Sequence, residues 1–236
     1  MKHLIKSALL AAILFSTGCN DDDGPYVCSS CVDSPEALAA NDNSGKGIYK
    51  GLVVGSSGTV KINIDNDGDG VLSITLKIDN HTINLTTEAS YTENGFEGYF
   101  YGTLNTTNDV VIGFYVNSTG TDMEVFGVEI PGHDDVTIEV EKEKSNKLIM
   151  VFEGTFSGDS EGTLNLVVSD DEWKAIARPT GSNSDDEAEF EGDISGSTLT
   201  CNCGDVEIEG SISGDNITGT WVTPEESGTW KAKRTL

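Results

Sequence analysis

Forty Asp and Glu residues against 14 Lys and Arg give this chain of 236 residues a formal charge of −26, a field that repels phosphate backbones and excludes nucleic acid as a partner. Apolar residues make up 36% of the chain and recur in alternation, which places it among folded, highly soluble proteins and outside the disordered class. Its length accommodates one large or two small domains.

Residues 1–18 carry Lys2 and Lys6, an apolar run from Ala8 to Phe15, and then Ser16, Thr17 and Gly18 before Cys19. The run is too short to span a bilayer and has the order of a secretory signal. The segment resembles a bacterial lipoprotein signal, in which the cysteine receives the lipid and becomes the mature N-terminus, although Ser16 stands where such signals usually carry leucine. Asn20, Asp21, Asp22 and Asp23 follow, and they resemble the surface-export signal of Bacteroidetes lipoproteins. The resemblances imply attachment to the outer membrane through a lipid on Cys19 and a cell-surface address. A solvated acidic linker facing the periplasm is the competing reading of the acid run.

Residues 19–46 read as a polar, acidic tether holding a C-x-x-C pair, with a short helical turn expected at Pro35 to Ala40 under a Ser34 cap. Cys28 and Cys31 form that pair, and Cys201 and Cys203 form a C-x-C pair. Outside a reducing cytoplasm the four cysteines predict two disulfides. Pairing within each motif competes with a clamp between the motifs, and a zinc site of four thiolates is the less favoured use of the same residues.

Beyond residue 46 no amphipathic helix is legible. Val60, Ile62 and Ile64 alternate with Lys61 and Asn63, and Leu72, Ile74, Leu76 and Ile78 with Ser73, Thr75 and Lys77. The same period of two returns at Val136, Ile138 and Val140 and at Val206 and Ile208, the signature of half-buried strands. Turn residues separate them at Asn66 to Gly70, Asp79 with Asn80, Asn94 with Gly95, and Gly214 to Asn216, so hairpins in series are expected. The fold class is therefore all-β, an antiparallel meander.

Tyr49-Lys50-Gly51 and the following Gly58-Thr59-Val60-Lys61-Ile62 match Phe152-Glu153-Gly154 and Gly162-Thr163-Leu164-Asn165-Leu166, and Phe96-Glu97-Gly98 matches Phe190-Glu191-Gly192. The period is about a hundred residues, with an insertion in the first copy. It predicts two tandem barrel-like or sandwich-like repeats, residues 47–145 and 146–236, with one continuous barrel as the alternative. Shorter echoes lie within the second copy: Ile194 to Thr200 recurs as Ile212 to Thr218, and Gly219-Thr220-Trp221 as Gly228-Thr229-Trp230. The stretch from Phe190 to Arg234 resembles the glycine-rich meander repeats of secreted bacterial proteins. That resemblance implies a calycin-like barrel, reminiscent of avidin and lipocalin-like folds, and no defined activity.

Asp65-Asn66-Asp67-Gly68-Asp69-Gly70 places Asp65, Asp67 and Asp69 at the first, third and fifth positions of a calcium-loop pattern, with glycine at the sixth. Leu76 occupies the twelfth, where a bidentate Glu belongs, and a hairpin turn uses the same residue types. Calcium is thus the one cofactor the sequence suggests. His81 and His133 sit in turn sequence, and no G-x-S-x-G elbow accompanies them. Glu139 and Glu141 share one strand face, the arrangement of a solvated surface.

Eight aromatic residues cluster in the first copy: Tyr91, Phe96, Tyr99, Phe100, Tyr101, Phe114, Tyr115 and Phe126. If Phe96 and Phe100 point inward, alternation turns Tyr99 and Tyr101 outward. Tyr99, Tyr101 and Tyr115 are the expected ligand contacts, able to stack on sugar rings or anchor a protein, whereas Trp173, Trp221 and Trp230 are expected in the core of the second copy. The reading that results is a non-enzymatic surface lipoprotein that binds a glycan or protein ligand. A carboxylate-based glycoside hydrolase and a purely structural envelope protein are its alternatives.

Overall fold

The computed structural model describes residues 26–105 and 107–236. The signal segment, the lipid acceptor Cys19 and the Asn20 to Asp23 run lie outside the described residues. Among the described residues the chain is all-β, an antiparallel meander with two short 3₁₀ turns at Ala39–Asn41 and Ser184–Asp186.

The first sheet comprises β1 (Gly47–Val54), β2 (Gly58–Ile64), β3 (Leu72–Ile78), β4 (His81–Thr86), β5 (Gly95–Leu104), β6 (Asn108–Asn117), β7 (Met123–Glu129) and β8 (Thr137–Lys142). The second comprises β9 (Met150–Gly158), β10 (Gly162–Val168), β11 (Glu172–Pro179), β12 (Ala188–Ser195), β13 (Thr198–Cys203), β14 (Val206–Ser213), β15 (Asn216–Val222) and β16 (Ser227–Arg234). In each half the first strand also pairs with the last, β1 with β8 and β9 with β16. The second sheet closes into a barrel, while the first stays open between β7 and β8. A continuous single barrel and a two-sheet sandwich are thereby replaced by one nearly closed barrel followed by one closed barrel.

Closure explains the two Tyr/Phe-x-Gly echoes. Gly51 crosses β8, where a Cβ would lie 1.8 Å from the Glu139 carbonyl oxygen, and Gly154 crosses β16, where one would lie 2.2 Å from that of Lys231. Only glycine lets the first strand approach the last so closely. The third echo is not structurally equivalent: Phe96-Glu97-Gly98 lies on the fifth strand of its barrel and Phe190-Glu191-Gly192 on the fourth of its own.

Barrel one is filled. Tyr49 and Phe114 meet edge to face at 5.1 Å, and Phe100, Ile62, Ile74 and Leu76 are fully buried around them. In barrel two Trp173, Leu166 and Leu199 seal one end. Trp173 and Trp230 are buried as expected, but Trp221 stays half-buried near the other end. A separate apolar cluster of Leu52, Val54, Ile149, Val151, Val167 and Ile176 joins the barrels. Because β1 supplies residues to both its own barrel and this seam, all eight of its residues are buried.

The stretch from Tyr26 to Lys46, expected as a tether, is bonded to both barrels. The Tyr26 hydroxyl donates to the Arg234 carbonyl oxygen (2.8 Å) and the Cys28 N–H to Asp215 (2.7 Å). Further on, the N–H groups of Glu36 and Ala37 both donate to Glu143. That contact corrects the expected helical turn: the Pro35 to Ala40 stretch is not helical as a whole, and the one 3₁₀ turn begins at Ala39 after an uncapped Leu38. A distant carboxylate takes the amides that a Ser34 cap would have served. The Lys142 ammonium then gathers the carbonyl oxygens of Asn41 (2.9 Å), Ser44 and Lys46 (2.9 Å).

Candidate functional site

The three tyrosines share one outer face of barrel one. Phe96 and Phe100 are buried inside, so alternation along β5 sends Glu97, Tyr99 and Tyr101 outward. Across β6, Tyr115 is opposite Glu97, Gly113 opposite Tyr99 and Val111 opposite Tyr101. Tyr115 is therefore the diagonal neighbour of Tyr99, within reach of a long side chain. Tyr99 is 44% exposed and Tyr101 58%, and Tyr115 is half-buried.

A fourth aromatic completes the face. Phe126 of β7 is opposite Gly113, and its ring meets that of Tyr99 edge on at 5.2 Å. The bare backbone of Gly113 lets the two rings meet, since a Cβ there would lie 2.6 Å from the Phe126 ring. A bulge between β6 and β7, where Gly127 takes φ +56°, sets this register. Sequence reasoning placed Phe126 in the aromatic cluster without assigning it to the face. The signal for it was an outward glycine in Val111-Ile112-Gly113-Phe114, a gap an aromatic neighbour fills. Glu97, Glu124 and Glu129 border the patch.

Asp65, Asp67 and Asp69 do not converge. The two oxygens of Asp65 accept from the Gly70 N–H (2.7 Å) and the Lys46 ammonium (2.5 Å). That ammonium and the Gly70 N–H hold its carboxyl below the usual range. Asp67 accepts from the Asn66 amide and Asp69 from the Val71 N–H. The Gly70, Asn66 and Val71 bonds are internal to a hairpin turn, the Lys46 bond ties that turn to the N-terminal segment, and among the described residues no three His, Cys, Asp or Glu side chains gather as a metal site.

His133 pairs with Asp79 (3.2 Å), and the Ser56 and Ser57 hydroxyls donate to the same Asp79 at 3.3 Å. The serines thus bond to the acid and not to the histidine, which is the wrong order for an activated nucleophile. Glu139 and Glu141 do not face open solvent alone: they border a cleft of about 420 Å³ between the two barrels, lined on the other side by Lys174 and Glu189. Burial there pushes the Glu139 carboxyl up, and the nearby charge of Glu189 adds to it. Glu141 is held by an ion pair with Lys174.

Cys28 with Cys31, and Cys201 with Cys203, lie at disulfide distance, their Cα atoms 5.4 and 5.5 Å apart. Pairing is thus within each motif, and no clamp links them. Comparison with protein-family models, with curated proteins and with solved structures returned no match for this chain.

Proposed function

We propose that this protein is a non-enzymatic, lipid-anchored surface module that binds neutral polysaccharide on the Tyr99, Tyr101 and Tyr115 face. One observation carries the reading: three tyrosines share a single outer face, Phe126 braces Tyr99 among them, and Tyr99 and Tyr101 are exposed. Rigid aromatic rings give contact area at low entropic cost, and the bordering carboxylates of Glu97, Glu124 and Glu129 are acceptors for sugar hydroxyls. A charge of −26 disfavours polyanionic chains. Anchoring through Cys19 keeps the module at the cell boundary and leaves the barrels free of any membrane-seeking duty.

The test is adhesion of cells to beads carrying neutral glucans, mannans or xylans, with polyuronate beads as control. Tyr99→Ala and Tyr101→Ala should each weaken binding by about 2 kcal/mol, roughly thirty-fold. Chelator should leave it unchanged, because the Asp65 oxygens already have partners. Cys19→Ala should abolish cell adhesion while the shed protein still binds. Affinity that survives both tyrosine substitutions would remove the site. A glycoside hydrolase remains the second reading, favoured by the raised Glu139 carboxyl opposite Glu189; release of reducing ends that Glu139→Gln abolishes would establish it.

A further inference from the structure

We propose that the open end of barrel two is a binding cup for a small monocyclic aromatic molecule whose polar group is neutral or cationic. The two barrels differ in how alternation fills them. In barrel one the inward side chains of β1, β3, β5 and β6 pack into a solid core. In barrel two the inward residues at one end, Phe156, Phe190, Val206 and Trp221, remain half-buried, with Leu164 and Trp230 buried beneath them. They line a cavity of about 200 Å³. An eight-stranded barrel has room either for its own side chains or for one small ligand, and an apolar cavity of about 150 Å³ suffices for benzene.

The lip and the wall suit a guest. β12 is laddered to β13 only from Asp193 to Ser195; Gly192 and Glu191 still touch Thr200 and Cys203 of β13, and the Ala188 to Phe190 end of β12 forms part of the cup's lip. Trp173 and Trp230 are pinned by indole N–H bonds to the carbonyl oxygens of Thr200 (3.3 Å) and Thr220 (3.2 Å). The Trp221 N–H has no acceptor, so packing alone holds that ring in the wall. Asp186 and Glu226 stand at the rim. Their charge, added to that of the whole chain, admits a hydroxyl or an ammonium and repels a carboxylate.

Benzyl alcohol, benzylamine and benzoate are the compounds to titrate, read by melting temperature and tryptophan emission. The alcohol and the amine should give saturable shifts at millimolar concentration or below, and benzoate should bind about ten-fold more weakly or worse. Ala177 and Ala188 both face the cup, so Ala177→Phe plugs its wall and Ala188→Phe its exposed lip. Either plug should lower affinity about ten-fold with near-ultraviolet circular dichroism retained. Tyr99→Ala should leave cup binding intact, which separates this site from the polysaccharide face. An absence of saturable shifts, equal binding of benzoate, or unchanged affinity in a folded plugged variant would overturn the proposal.

Discussion

Lys50 and Glu153 occupy matching places, the middle residue of Tyr49-Lys50-Gly51 and of Phe152-Glu153-Gly154, and both point out of their barrels toward the seam. Lys50 is fully buried and meets Glu143 at 2.6 Å. The same Glu143 also accepts the N–H groups of Glu36, Ala37 and Ile149, so each oxygen of the buried carboxylate has two donors. Glu153 has no such partner set, and one of its oxygens is buried without a donor. Burial pushes its carboxyl up, against the opposing pull of the Gly58 N–H and the Lys77 charge. Because the folded value lies above the unfolded one, the folded state binds the extra proton. Stability from this group is therefore full below the unfolded value, near pH 4.5, and is lost as pH rises through the raised folded value. Glu153→Gln should accordingly raise the melting temperature at pH 7 to 8 by roughly 2–4 °C, for a gain of order 1 kcal/mol, and change little at pH 4. Thermal melts at both pH values check this; an equal effect at both would refute the assignment.

At the scale of the strand pair, the Gly-Thr-Trp echo is two halves of one device. β15 and β16 align Gly219 with Trp230, Thr220 with Thr229 and Trp221 with Gly228, so each indole lies across the other repeat's glycine. A Cβ on Gly219 would sit 2.1 Å from the Glu209 carbonyl oxygen and 2.4 Å from the Trp230 ring, and one on Gly228 2.5 Å from the Trp221 ring. The bare strand backbone is thus covered by an aromatic ring, which offsets the weakness of glycine in a strand. Gly214, by contrast, sits in a two-residue turn at φ +59° with open space around it. Gly219→Ala should cost about 3 kcal/mol or more through the clash, and Gly214→Ala only about 1–2 kcal/mol through backbone strain. Urea unfolding of the two variants gives the comparison, and equal costs would argue against the indole-over-glycine device.

Across the whole molecule the N-terminal segment acts as a clasp. Arg234, 4% exposed, binds the Val32 carbonyl oxygen and meets Asp33 at 3.1 Å and Asp215 at 3.4 Å, tying the segment to the last strand of barrel two. At its far end Lys142 of β8 holds the carbonyl oxygens of residues 41, 44 and 46, while the Gly45 N–H donates to Ser118 (2.8 Å) in the turn between β6 and β7. The segment thereby bridges the two unpaired edges of barrel one at the end where they part. Removing residues 26–45 should speed amide hydrogen exchange in β7 and β8 by about ten-fold or more while β10 and β11 stay protected. Protection of β7 and β8 that does not change would show that the seam holds without the clasp. Arg178 contributes a second tie, linking Asp135 of barrel one to Glu187 of barrel two.

The antiparallel meander, most of the inward set and the outward tyrosines were legible in the sequence, because period-two alternation and turn chemistry act between residues only a few positions apart; Trp221, expected in the core, stays half-buried. Tyr99 and Tyr101 faced outward once Phe96 and Phe100 were inside, and no distant partner was needed to decide it. Closure was not legible, since it depends on Gly51 meeting Val140 and Gly154 meeting Ala232 across the length of each half. The same holds for Glu143, whose partners Lys50, Glu36 and Ala37 lie about a hundred residues upstream. It holds too for Asp65, whose second oxygen is taken by Lys46 from the clasp. Local sequence determines which way each side chain points; only the closed register determines which groups meet, which stay unpaired, and that barrel one is filled while barrel two keeps an open cup.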